Sequence, residues 1–96
     1  MTEALDKVDH VVKSWPVYFQ AMIDGHKKHD MRNTKDRNYL VGQTMLLQEF
    51  DPFKGRYTGR EAKFKITYIT STTTPCALSS AMLDNASCIL SVEKVD

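Results

Sequence analysis

The sequence predicts an α+β domain: about five short strands and one main helix, with the sheet curled into a small barrel under helical lids. Three observations carry that prediction. Pro16 follows Ser14 and Trp15, and then Phe19, Met22 and Ile23 recur at helical spacing before Gly25. Phe64, Ile66 and Tyr68 alternate with Lys63, Lys65 and Thr67, the period of two that marks a half-buried strand. A chain of 96 residues holds one core, and one helix cannot cover both faces of a flat sheet. Curling is the cheaper way to bury the apolar sides.

The elements follow in order. Residues 1–8 read as a polar lead-in to a single domain over 9–96. DHVVKS, 9–14, is short and β-branched, as a first strand should be. Ser14 is expected as the hydroxyl N-cap of a helix over about 15–24. Pro16 falls in its first turn, where a missing N–H costs nothing. Gly25 is expected just past the helix end, where a residue able to take φ > 0 is wanted.

Residues 27–33 are expected to be extended. VGQ, 41–43, reads as a tight turn into the strand TMLLQEF, 44–50. DPFKGRYTG, 51–59, carries turn chemistry in Asp51-Pro52 and two glycines, so a long loop or wide hairpin is expected. REAKFKITYIT, 60–70, is the clearest strand. STTTP, 71–75, is a breaker, and CALSSAML, 76–83, is expected to form a short second helical turn. ASCILSVEKV, 86–95, reads as a last strand with Cys88, Leu90 and Val92 on one face.

Charge narrows the function. The net charge of +1 argues against a protein that coats duplex DNA by bulk electrostatics. The charge is nevertheless uneven. Residues 10–40 hold six basic and three acidic groups, whereas residues 41–96 hold six of each. The basic excess overlaps GHKKHDMRNTKDRNYLVG, residues 25–42. Cys76 and Cys88 lack CxxC spacing and are expected as reduced, buried thiols of a cytoplasmic monomer. No segment approaches the ~20 apolar residues of a membrane span. His26 and His29 are three apart, which suits a helix but not a strand, so no metal is expected. Gly-rich phosphate motifs and a GxSxG elbow are absent, and no cofactor is expected.

Several fragments fall into one order. HVVK, 10–13, leads into the helix. GHKKHDMR, 25–32, follows it. Asp36-Arg37-Asn38 precedes Val41-Gly42, and LLQEFD leads to YTGR, 57–60, and a strand ending in Tyr68-Ile69. This resembles the ASCH group of PUA-like domains, closest to an uncharacterised bacterial and phage branch. It covers residues 10 to about 70 strongly and the last strand more loosely. Asp30 stands where that pattern has Glu, one methylene longer. Gln43 replaces the usual Asp after Gly42, and Asn33 is spread away from Asp36-Arg37.

The resemblance implies a small PUA-like β-barrel with a cleft beside the helix-to-strand turn. Relatives are expected to bind RNA or modified nucleobases there. One ASCH relative removes acetyl from acetylated cytidine, and others have been proposed to cut RNA. On that basis Lys13, Lys27, Asp30, Arg32, Arg37, Tyr57 and Arg60 are the candidate binding residues. Lysine and arginine would meet phosphate, Asp30 a base edge, and Tyr57 would stack on a base. Lys27 and Asp30 become catalytic candidates if the domain is an enzyme acting on an acylated nucleobase or on RNA. A phage-encoded module acting on a host protein is the remaining alternative. Lys27 can share a cleft with Asp30 only if it belongs to the turn, because strict alternation would point the two apart.

Overall fold

The computed structural model describes residues 8–35, 37–77 and 83–95. Five strands form one curled half-barrel sheet: β1 (His10–Ser14), β2 (His29–Asn33), β3 (Thr44–Asp51), β4 (Arg56–Thr70) and β5 (Ser87–Val95). Among the described residues one helix, α1 (Pro16–Ile23), lies between β1 and β2 in the chain. The spatial order is β1-β3-β4-β5-β2. Strand β1 pairs parallel to β3, and the other pairings are antiparallel. The expected second helical turn over 76–83 falls largely outside the described residues, as does nearly all of the polar lead-in.

Alternation places the core. Val12, Met45, Leu47, Phe64, Ile66, Cys88, Leu90 and Val92 are buried on the concave face. Helix α1 adds Phe19 and Met22, and the 34–43 connection adds Tyr39. An isolated helix of eight residues would not persist in water, so these two buried side chains are what hold α1 in place.

The helix boundaries differ from expectation at one end. Ser14 is not the cap; it is the buried last residue of β1, and Trp15 takes the N-cap position with no side-chain bond. Pro16 nonetheless occupies the first turn. At the other end Gly25 has φ +81°. Its N–H donates to the Met22 carbonyl at 3.2 Å, and that of His26 donates to the Ala21 carbonyl at 3.0 Å. That double bond pattern is a Schellman closure, which demands a left-handed residue at this point.

Two irregularities in β4 redirect the chain. Ile66 pairs with Val92 and Tyr68 with Ser91, so Thr67 is an extra residue. The bulge turns Tyr68 outward, 57% exposed, and Ile69 packs against the core in its place. The expected Phe64-Ile66-Tyr68 face therefore ends one residue early. Near the other end, Gln48 pairs with Glu61 and Phe50 with Tyr57, so Thr58, Gly59 and Arg60 all face Glu49. Gly59 has φ +96°, a conformation that a side chain would strain. The hairpin is tighter than expected: β3 ends at Asp51, and β4 resumes at Arg56.

Candidate functional site

Among the described residues the sheet does not close by backbone pairing. Strands β1 and β2 are its two edges, and the curl brings them to face each other. Two arginines span the gap. Arg32 Nη2 donates to the Lys13 carbonyl at 2.7 Å, and Arg37 Nη1 donates to the Val11 carbonyl at 3.2 Å. Residues i and i+2 of an edge strand point their carbonyls the same way, so both guanidinium groups serve one unpaired row of β1.

Strand β2 explains why the gap is polar. Asp30 pairs in register with Leu90, and Arg32 with Cys88. Paired residues share a face, and that face is the buried one on β5. Strand β2 therefore presents a carboxylate and a guanidinium where its neighbours present core. Arg32 Nε donates to Asp30 Oδ2 at 2.6 Å. Lys27 Nζ stands 3.7 Å from Asp30 Oδ1 and donates to the His29 carbonyl. The Asp30 side chain is only 13% exposed. Two cations share one carboxylate, leaving a net positive charge in a partly desolvated place, where it acts more strongly than in bulk water.

Lys27 reaches Asp30 because it belongs to the turn and not to the strand. Its N–H donates to the Ala21 carbonyl at 3.0 Å, and β2 begins only at His29. The closure at Gly25 thus delivers Lys27 to the cleft.

The cleft has a volume of roughly 500 Å³, within the range of small-ligand sites. Lys13, Lys27, Asp30 and Arg32 line it, with Ser14 and Met31. Trp15 and Tyr18 form its rim; they are 54% and 50% exposed, with ring centroids 6.3 Å apart and planes inclined by 26°. A neighbouring groove of about 430 Å³ shares Lys13 and Arg32 and adds Arg37, Tyr39 and Tyr57. The Lys13 ammonium turns toward this groove, 4.3 Å from the Phe50 ring and 5.9 Å from that of Tyr57.

Arg60 is placed elsewhere. Its Nη2 donates to Gln20 Oε1 at 2.8 Å, its Nη1 lies 3.7 Å from Glu49, and its guanidinium covers the Phe19 ring at 5.1 Å. It ties α1 to the hairpin and does not line the cleft. Glu49, only 4% exposed, also accepts from Thr58 Oγ1 at 2.6 Å. Cys88 is buried as expected, but Cys76 is exposed because it sits in a connection and not on the sheet. Burial pushes the Cys88 thiol and the Tyr39 phenol above their ordinary pKa values, opposed at Tyr39 by Arg37 and Arg32. His26 and His29 are both exposed. Among the described residues no three histidine, cysteine or carboxylate side chains gather as a metal site.

A family described as "Domain of unknown function (DUF3850)" matches residues 9–92. The chain belongs to that family. A relative from Escherichia phage P2, "Uncharacterized 12.9 kDa protein in GpA 3'region", is 39% identical over 61 residues. The match covers 64% of this chain and 53% of that protein, so the chain spans about half of its relative's length.

Within this DUF3850 fold, sequence reasoning missed Trp15, Tyr18 and Glu49. Trp15 and Tyr18 lie one turn apart at the start of α1, and two aromatics off the Phe19-Met22 stripe were the available signal. Glu49 alternates with Met45 and Leu47, so its burial was readable from the pattern of β3. No helix among the described residues is long and apolar enough to cross a membrane.

Proposed function

We propose that this domain binds RNA or a nucleotide, including one with a modified base, in the cleft between β1, the start of α1 and β2. The observation that carries the proposal is the pairing of Lys27 and Arg32 on one carboxylate, directly beside two exposed rings. Phosphate needs fixed cations, and a base needs a π-face; this cleft offers both side by side. Lys27 and Arg32 meet the phosphate. Asp30 orients them and accepts from a sugar hydroxyl or base edge. Trp15 and Tyr18 stack on the base, and Tyr57, in the adjoining groove, supplies a second platform. The curled half-barrel and the motif order from HVVK to YTGR support membership of the ASCH group of PUA-like domains. A cytoplasmic monomer is the form this reading supposes.

The test is a fluorescence titration with labelled single-stranded RNA and with free nucleosides at low salt, where phosphate contacts are strongest. Saturable RNA binding that weakens about tenfold or more in Arg32→Ala is the expected result. No binding at low salt would remove the proposal. The same samples separate binding from hydrolysis. Deacetylation of N4-acetylcytidine, abolished by Lys27→Ala, would make the site an amidohydrolase with Lys27 and Asp30 as its acid–base pair.

A second reading, a module that docks on a host protein, rests on the phage origin of the relative alone. A single stoichiometric protein in a pull-down, without nucleic acid, is its signature.

A further inference from the structure

Strand β4 begins at Arg56, but β5 pairs with it only from Lys63 onward. Among the described residues, Arg56 to Ala62 pair with β3 alone, and β1 stops pairing with β3 at Glu49, so beyond that point Phe50–Asp51 and Arg56–Tyr57 extend past the rest of the sheet as a short two-stranded ribbon. Phe53 stands at its tip, 99% exposed. The turn that holds it is built by Asp51, whose Oδ1 accepts from the N–H groups of Phe53 at 2.9 Å and Lys54 at 3.2 Å. The one carboxylate at the tip is thus occupied with backbone. Lys54 and Arg56 stand beside it, lining a groove with Asp51, Tyr57 and Thr58.

The ribbon is continuous with the cleft. The Phe50 and Tyr57 rings meet edge to face at 5.1 Å, and Lys13 lies over both. Lys13 also lines the cleft that holds Lys27 and Arg32. Shared lining residues, Lys13 and Arg32 and then Tyr57, therefore join the cleft to the Lys54–Arg56 groove as one track of cations and rings that leads to the hairpin turn holding Phe53. A lone exposed phenylalanine is ordinary on a protein surface. This one ends a track of positive charge and stacking faces, the combination that single-stranded nucleic acid uses. A membrane or an apolar partner would need a contiguous apolar patch, and Phe53 has only Pro52 beside it on one side and Lys54 on the other.

We infer that the ligand is a single-stranded RNA several nucleotides long and not a mononucleotide. Its backbone runs from Lys27 and Arg32 past Lys13 to Lys54 and Arg56, and one of its bases stacks on Phe53. This rests on the nucleotide-binding reading and specifies its substrate class. Roughly four or more nucleotides fill such a track, near the low end for one small barrel.

The experiment compares uridine monophosphate, a uridine dinucleotide and a uridine octamer on the full chain at several salt concentrations. Affinity is expected to rise steeply from the monophosphate to the octamer. Phe53→Ala weakens octamer binding about tenfold, the effect of losing one stacked base, and leaves the dinucleotide unchanged. Lys54→Ala with Arg56→Ala flattens the octamer's salt dependence by about 1.4 in log–log slope, two single-strand phosphates' worth. All three side chains are exposed, so the variants keep the fold. Equal affinity for monophosphate and octamer, or an octamer indifferent to Phe53→Ala, overturns the inference and leaves the cleft reading standing. Failure of every RNA to bind removes both.

Discussion

The middle of the sheet and its seam are held together by different means. In the middle, β3, β4 and β5 join by long backbone ladders interrupted by one bulge in each pairing, and their inner faces are apolar except at Glu49. At the seam, β1 and β2 have no ladder between them, and Arg32 and Arg37 reach across to unpaired carbonyls. Backbone pairing leaves no room for a ligand, whereas side-chain stitching does. The place where the barrel fails to close is also the place where charge gathers and a cleft opens.

Mutations at the two regions should separate accordingly. Leu47→Ala, at a fully buried position in the middle, should cost about 2–5 kcal/mol in urea unfolding and leave no selective effect on the proposed RNA binding in the folded fraction. Arg32→Ala, at the seam, should cost about 1–3 kcal/mol, because it removes the donor to the Lys13 carbonyl and leaves the Asp30 carboxylate with Lys27 alone. Arg32→Lys should not rescue it, since an ammonium cannot bridge both partners with the planar fork of arginine. Equal stability of wild type and Arg32→Ala would break the comparison.

Smaller effects sharpen it. Arg37→Ala removes one long, exposed bond and should cost under about 1 kcal/mol. In thiol labelling at mild pH, Cys76 should react fast and Cys88 only on unfolding, because burial holds the Cys88 thiol protonated. Cys88 and Tyr39 also give the fold an alkaline limit. Their folded-state pKa values lie above the ordinary ones, so their share of stability is present below the Cys88 reference of 9.0 and is lost as pH rises past it. Unfolding midpoints that stay flat from neutral pH to strongly alkaline solution would contradict that assignment.

Much of the middle was legible beforehand. TMLLQEF was legible as a strand, and the alternation in CILSV placed Cys88, Leu90 and Val92 on one face as found, because a strand's period of two is local. Gly25 was legible as a helix end for the same reason. Tyr68 was not, because the bulge at Thr67 depends on how β4 meets β5. Ser14 looked like a cap by residue type, but pairing with Glu49 on β3 claims it for the sheet.

The site was half legible. Lys27, Asp30 and Arg32 could be named from their motif, but whether they meet depends on the turn after α1 and on the register of β2 with β5. Arg60 was named too, yet the three residues facing Glu49 swing it onto α1 and away from the cleft.

By itself, then, the amino-acid order determined the strands, the helix and its glycine end, and the local excess of positive charge, since each depends on neighbours within a few residues. Only the tertiary structure decided that β1 and β2 become facing edges, that Asp30 and Arg32 occupy a core-facing position, and that the rings of Trp15 and Tyr18 line the same cleft. Those relations join residues far apart in the chain, and they are set by which strands pair and how tightly the sheet must curl to bury one modest core.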